Sequence, residues 1–112
     1  MTVNGVVSIS ISDNKKHDIG RFHKEDIAFT YSGSMVNNGS ESATVKLFVE
    51  GLGMGQTETS IIIPSGQIVR FRNLKLNGIQ VMSASPSIYF LATQYLKPYN
   101  EGLKEEAEIF YQ

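Results

Sequence analysis

Val7-Ser8-Ile9-Ser10-Ile11-Ser12 sets three branched aliphatic side chains in strict alternation with three hydroxyls. Successive side chains of an extended chain point to opposite faces, so this segment reads as a strand with one apolar and one polar face. Ile27, Phe29 and Tyr31 repeat the period against Ala28, Thr30 and Ser32. The turn-forming Ser32-Gly33-Ser34 follows and predicts that the second strand ends there. Ala43, Val45, Leu47 and Val49 alternate in turn with Thr44, Lys46, Phe48 and Glu50, Phe48 being the large apolar residue on the polar side.

Strand signal is denser further on. Ser60 to Ile63 is β-branched and ends in Pro64-Ser65-Gly66, a turn in which proline fixes one φ and glycine supplies a positive one. Val69 and Phe71 then face opposite to Arg70 and Arg72, and Leu74 and Leu76 continue on one side. Asn77-Gly78, flanked by apolar residues, predicts a hairpin into Ile79 to Met82. After a Ser83 to Ser87 loop, Ile88 to Leu96 reads as a long strand rich in aromatic and branched residues. Two stretches fall outside the period. Asp13 to Asp26 is polar and reads as a surface loop, with room for a brief helical turn. The tail after Pro98 reads two ways: Leu103, Ala107 and Phe110 have helical spacing, whereas Ala107, Ile109 and Tyr111 alternate as in a strand. The strand reading is preferred, with Asn100-Glu101-Gly102 as a hairpin loop returning from the long strand.

The chain thus reads as roughly seven or eight short strands with turn signals about every 10 residues and no crossover helices. An all-β, antiparallel β-sandwich of Ig-like or jelly-roll-like form is expected, and a parallel α/β fold is excluded. At 112 residues there is room for one core. Residues 1–97 are assigned to the sandwich domain, and 98–112 to a C-terminal strand or arm that belongs to it or reaches a neighbour. Hydrophobic residues at 41% and charged residues at 19% suit a folded chain. A net charge of −1 gives no drive toward phosphate backbones or anionic membranes, so no nucleic-acid partner is expected. The absence of cysteine excludes disulfides, thiolate metal sites and a cysteine nucleophile. The first twelve residues lack a signal peptide's basic and apolar regions, and the longest wholly apolar run, Ile61-Ile62-Ile63, is too short to span a bilayer. Assembly in the cytoplasm without membrane insertion is the expectation.

Candidate chemistry is sparse. Gly51-Leu52-Gly53-Met54-Gly55 lacks the Gly-Lys-Ser/Thr ending and following helix of a phosphate loop, and reads as an inter-strand tip offering Leu52 and Met54 to a partner. His17 and His23 lie near Asp13, Asp18, Glu25 and Asp26, but not at the spacing a tetrahedral metal site needs, so no metal is assigned. Serines are plentiful in strands and turns, yet no Gly-x-Ser-x-Gly elbow or oriented base accompanies them. Glu101, Glu105, Glu106 and Glu108 are interspersed with Lys97 and Lys104 on a tail that reads as solvated. No catalytic residue and no cofactor is assigned, and the expectation is a protein that is not an enzyme. Arg70, Arg72 and Lys75 beside Phe71, Tyr89, Phe90 and Tyr95 invite a comparison with single-strand nucleic-acid binders, but Phe71 points away from the arginines, toward the core.

The run from Ala43 through the glycine loop to Ser60-Ile61-Ile62-Ile63-Pro64-Ser65-Gly66-Gln67-Ile68-Val69-Arg70-Phe71 resembles the middle of Ig-like and related β-sandwich modules. The continuation from Leu74 to Val81 is similar to hairpin halves of small accessory proteins of tailed-phage virions, such as capsid decoration or head-tail and tail-tube adaptor proteins. The resemblance covers residues 43 to 95. It implies a virion structural subunit binding itself, as a homo-oligomer, or a capsid or tail protein. The apolar terminus Ile109, Phe110 and Tyr111 suits that role, because a terminal strand can add to a neighbour's sheet. The alternative is an adhesion or carbohydrate-binding sandwich, for which Tyr89 and Tyr95, opposite Phe90, would provide the face.

Overall fold

A computed structural model describes residues 2–19, 27–51, 55–98 and 108–111 of the chain. Among these residues every regular element is a strand. They are β1 (Thr2–Ile11), β2 (His17–Asp18), β3 (Ile27–Asn37), β4 (Ala43–Gly51), β5 (Gly55–Ile63), β6 (Ile68–Leu74), β7 (Leu76–Met82), β8 (Ile88–Pro98) and β9 (Glu108–Tyr111). A five-stranded sheet in the order β1-β8-β3-β6-β9 packs on a four-stranded sheet in the order β2-β7-β4-β5, with all pairings antiparallel. The expected antiparallel sandwich is what the chain adopts.

The core is the product of the alternation. Ile11, Tyr31, Met35, Phe71 and Phe90 of the larger sheet meet Val45, Leu47, Ile63, Ile79 and Val81 of the smaller one, each 3% exposed or less. Phe71 and Phe90 stack with ring centroids 5.4 Å apart. The buried Tyr31 hydroxyl donates to the Ile19 carbonyl (3.2 Å) and accepts from Gln94 Nε2 (2.7 Å), whereas the hydroxyl of Thr30, 0% exposed, meets no hydrogen-bond partner among the described residues.

Three expectations are corrected. Ser32-Gly33-Ser34 is not a turn, because β3 runs through it to Asn37. The glycine serves close approach instead: a Cβ on Gly33 would lie 2.0 Å from the Leu91 carbonyl oxygen of β8. Nor does Asn77-Gly78 make a hairpin, since it lies inside β7. Phe48 opposes Gly78 while Val49 opposes Leu76, so Asn77 is an extra, bulged residue. The bulge lets Leu76 and Ile79, three positions apart, both face the core. The same device acts in β6, where Tyr31 opposes Leu74 and Gly33 opposes Phe71. Asn73 takes the left-handed conformation there (φ 58°), its N–H donates to Ser32 Oγ at 3.1 Å, and Phe71 and Leu74 both point inward. Between Leu74 and Leu76 the chain changes sheets, with Lys75 at the corner.

The third correction concerns the tail. Its terminal segment is a strand, as preferred, but it does not fold back on β8 as a hairpin. Both edges of β8 are taken by β1 and β3, so β9 pairs instead with β6 at the far side of the sheet. Asn100-Glu101-Gly102 itself lies outside the described residues. Asp13 to Asp26 is also more tied down at its start than expected: β2 pairs with β7, and Ile19 is 1% exposed in the core. Residues 13–19 contain no helical turn.

Candidate functional site

The outer face of the larger sheet follows from the strands' second set of side chains. Pairing lines up Ser8, Leu91, Ser34, Arg70 and Phe110 in one row across β1, β8, β3, β6 and β9. Rows on either side join Ser10, Tyr89, Val36 and Ile68, and Val6, Thr93 and Ser32. Hydroxyls and guanidinium groups would be ordinary here, but Val6 is 70% exposed, Phe110 48%, Leu91 39% and Tyr89 37%. Around Gly33 this face holds an open hollow of about 280 Å³, lined by Val6, Ser32, Gly33, Ser34, Leu91, Ala92 and Thr93.

Two polar pairs on this face are bonded. Ser8 Oγ and the Tyr89 hydroxyl are 2.7 Å apart. Arg72 pairs with Glu108 across β6 and β9, and its guanidinium carbon lies 5.8 Å from the Phe110 ring centroid. The opposite outer face, on the smaller sheet, repeats the theme in small: Ile62 (60% exposed) and Met82 (40%) flank Thr44. Nearby, Lys46 pairs with Glu58 at 3.6 Å, and the Lys16 ammonium sits 4.3 Å from the centroid of Phe48, which explains an aromatic on that polar side.

The residues expected to bind a partner are distributed unevenly. Leu52 and Met54 lie outside the described residues; Gly51 opposite Gly55 shows that β4 and β5 form a hairpin around them. Ile109 is half-buried and packs on the core, so it is a structural anchor within its own chain. Phe110, next to it, points outward, and Tyr111 is placed opposite Val69. Val6, Leu91 and the Gly33 hollow were not singled out by sequence. The signal for the first two was present, in the Val6-Val7 doublet and in the apolar residues at both parities of Ile88 to Leu91.

His17 Nε2 lies 2.8 Å from Asp13 Oδ1, which also accepts the Lys15 N–H at 3.1 Å. These bonds, the histidine's first, hold the Asp13 carboxyl below its ordinary value. His23, Glu25 and Asp26 lie outside the described residues. Among the described residues no three His, Asp or Glu side chains are grouped to hold a metal ion. Arg70 and Arg72 are exposed while Phe71 is 3% exposed, as the alternation predicted. Tyr89 and Tyr95 share the outer face, yet six residues of strand separate them by about 20 Å. Their cross-strand neighbours are Ser10 and Val36 for the one and Val3 and Thr30 for the other, none an amide or carboxylate of the kind a sugar needs beside the rings.

No helix among the described residues is long and apolar enough to cross a membrane. No protein-family model matches the chain, and comparison with curated proteins and with solved structures returned no match. What the geometry offers is contact chemistry: apolar area, hydroxyls and guanidinium groups on a rigid sheet.

Proposed function

We propose that this chain is a non-catalytic structural subunit that works by binding protein, either further copies of itself or a larger assembly. Within that class, a capsid or tail component of a virion is the form implied by the sequence resemblance. The observation that carries the reading is the row structure of the larger sheet's outer face, where Val6, Tyr89, Leu91 and Phe110 are presented on one continuous surface. Large apolar residues gathered on one rigid face are what a protein partner covers. The sandwich holds them in fixed register, and such a surface is suited to repetitive packing rather than to enclosing a small molecule.

Sedimentation of a lysate from the source cells tests this, with the chain followed by a specific antibody. Comigration with particles far larger than 12.4 kDa, lost when Leu91→Asp and Phe110→Asp are combined, is the expected result. A chain found only at its monomer position would sink the assembly reading. Particles that carry nucleic acid and capsid-sized shells would support the virion form of it, and particles of another kind would remove that form.

A further inference from the structure

The described strands leave four sheet edges, and they are not equivalent. β2 is two residues long and β9 four, with Glu108 at its start. β5 is longer, but it carries Glu58 and runs into Pro64, and its inward residues Ile61 and Ile63 are already 6% and 0% exposed. Short length, charge and proline are the usual protections of an exposed edge. β1 has none of them from Val6 to Ile11. Its ten residues contain no charge and no proline, and among the described residues its only neighbour is β8. Every second residue therefore turns its N–H and C=O to an edge that no other described strand pairs with.

Both faces of β1 are also incompletely covered. Val7 and Ile9 point inward and pack on the core but remain half-buried, whereas their row mates Ala92 and Phe90 on β8 are 2% and 0% exposed. On the outer face Val6 is the most exposed large apolar residue described. A strand laid against β1 would cover all three and satisfy the free backbone groups together.

We infer that β1 is a self-pairing edge: two copies of this chain join antiparallel through it, about a two-fold axis at Ser8, into one continuous ten-stranded sheet. The occupant is a second copy because β1 complements itself. Antiparallel pairing of like faces sets Val6 against Ser10, Val7 against Ile9 and Ser8 against Ser8, so aliphatic meets aliphatic within the core layer and no like charges are opposed. The register is centred on the regular stretch between Gly5, where the pairing with β8 shifts, and Ile11. This rests on the assembly reading above and names one of its contacts.

Sedimentation equilibrium of the purified chain, up to about 1 mM, supplies the test. Wild-type protein is expected to dimerise. Ser8→Lys, at an exposed site, should keep the β circular-dichroism spectrum and weaken the dimer at least about tenfold by setting two ammonium groups face to face. The chain has no cysteine, so a single one reports contact cleanly. Ser8→Cys should form a disulfide-linked dimer under mild oxidation, because directly opposed strand residues lie within disulfide reach, about 4.5–5.5 Å between Cα atoms. Ser60→Cys on the β5 edge should not. A dimer indifferent to Ser8→Lys, or crosslinking through Ser60→Cys instead, overturns β1 pairing while leaving self-assembly intact. A strict monomer also overturns it, and the lysate sedimentation then decides separately whether the chain assembles with other proteins.

Discussion

Gly33 has no space for a methyl group, because the nearest obstacle is backbone and cannot swing aside. Gly33→Ala must push β3 and β8 apart at the centre of the larger sheet, and an overpacking cost of about 2–3 kcal/mol is expected in urea unfolding. Asn37, 1% exposed, is the other residue on which local structure turns. Its Nδ2 donates to the Glu41 and Ile63 carbonyls, both at 2.8 Å, and its Oδ1 accepts from Gly39 N–H at 2.8 Å. Its backbone accepts from Gly66 and donates to Gln67, tying the end of β3 to the Pro64–Gln67 turn, where Gly66 has φ 78°. Asn37→Ala strands these partners and should cost about 1–3 kcal/mol, while Asn37→Asp should cost more, since a carboxylate would face two carbonyls. Neither role was legible in the sequence, because each depends on a backbone that arrives from a distant segment. The Asp13–His17 pair is local, but in sequence it reads only as part of a polar loop without metal-site spacing, and nothing there shows that the two are bonded. Its carboxyl titrates below its ordinary value, so its contribution is present above the ordinary aspartate range and is lost as pH falls through the folded-state value. Asp13→Asn should flatten the acid limb of the urea midpoint against pH, and an unaltered limb would show the pair to be inert.

At the scale of elements, alternation made β1, β4 and β8 readable because each has one face in the core and one outside. The misread turns share a cause. Glycine and asparagine mark places where the backbone departs from the regular strand, and a bulge departs from it as a turn does. The distinguishing signal is the change of parity: apolar Phe71 and Leu74, and again Leu76 and Ile79, lie three apart, which a flat strand cannot bury on one side. The tail shows the limit differently, since its strand character was written in Ile109 but its partner was not. β9 now makes a paired prediction. Ile109 packs on the core and Phe110 faces solvent, so Ile109→Ala should cost about 1–3 kcal/mol and Phe110→Ser under about 1 kcal/mol in dilute monomer. Equal losses in chemical denaturation would mean that β9 does not sit in its sheet as described.

For the molecule as a whole, class and layering were legible and strand order was not, because pairing joins segments whose affinity is written in neither alone. Among the described strands, β4 and β5 are the only consecutive pair that are also neighbours in a sheet. All other pairings close long loops: Ser8 lies opposite Leu91, and Arg72 opposite Glu108. Loop closure must be met before such contacts contribute, so folding in about milliseconds to seconds is expected rather than microseconds. The β4–β5 hairpin is the cheapest element to form early. β9 is the reverse, a four-residue edge strand whose site on β6 exists only after β3 and β6 have paired. Substitutions should divide accordingly. Ile61→Val in the hairpin should appear mainly as slower refolding, and Ile109→Ala mainly as faster unfolding. Stopped-flow tyrosine fluorescence can follow both, since the chain has five tyrosines and no tryptophan, and Tyr31 is fully buried. Should Ile109→Ala slow refolding by its full stability cost, β9 would belong to the nucleus, and the order of assembly argued from the topology would be reversed.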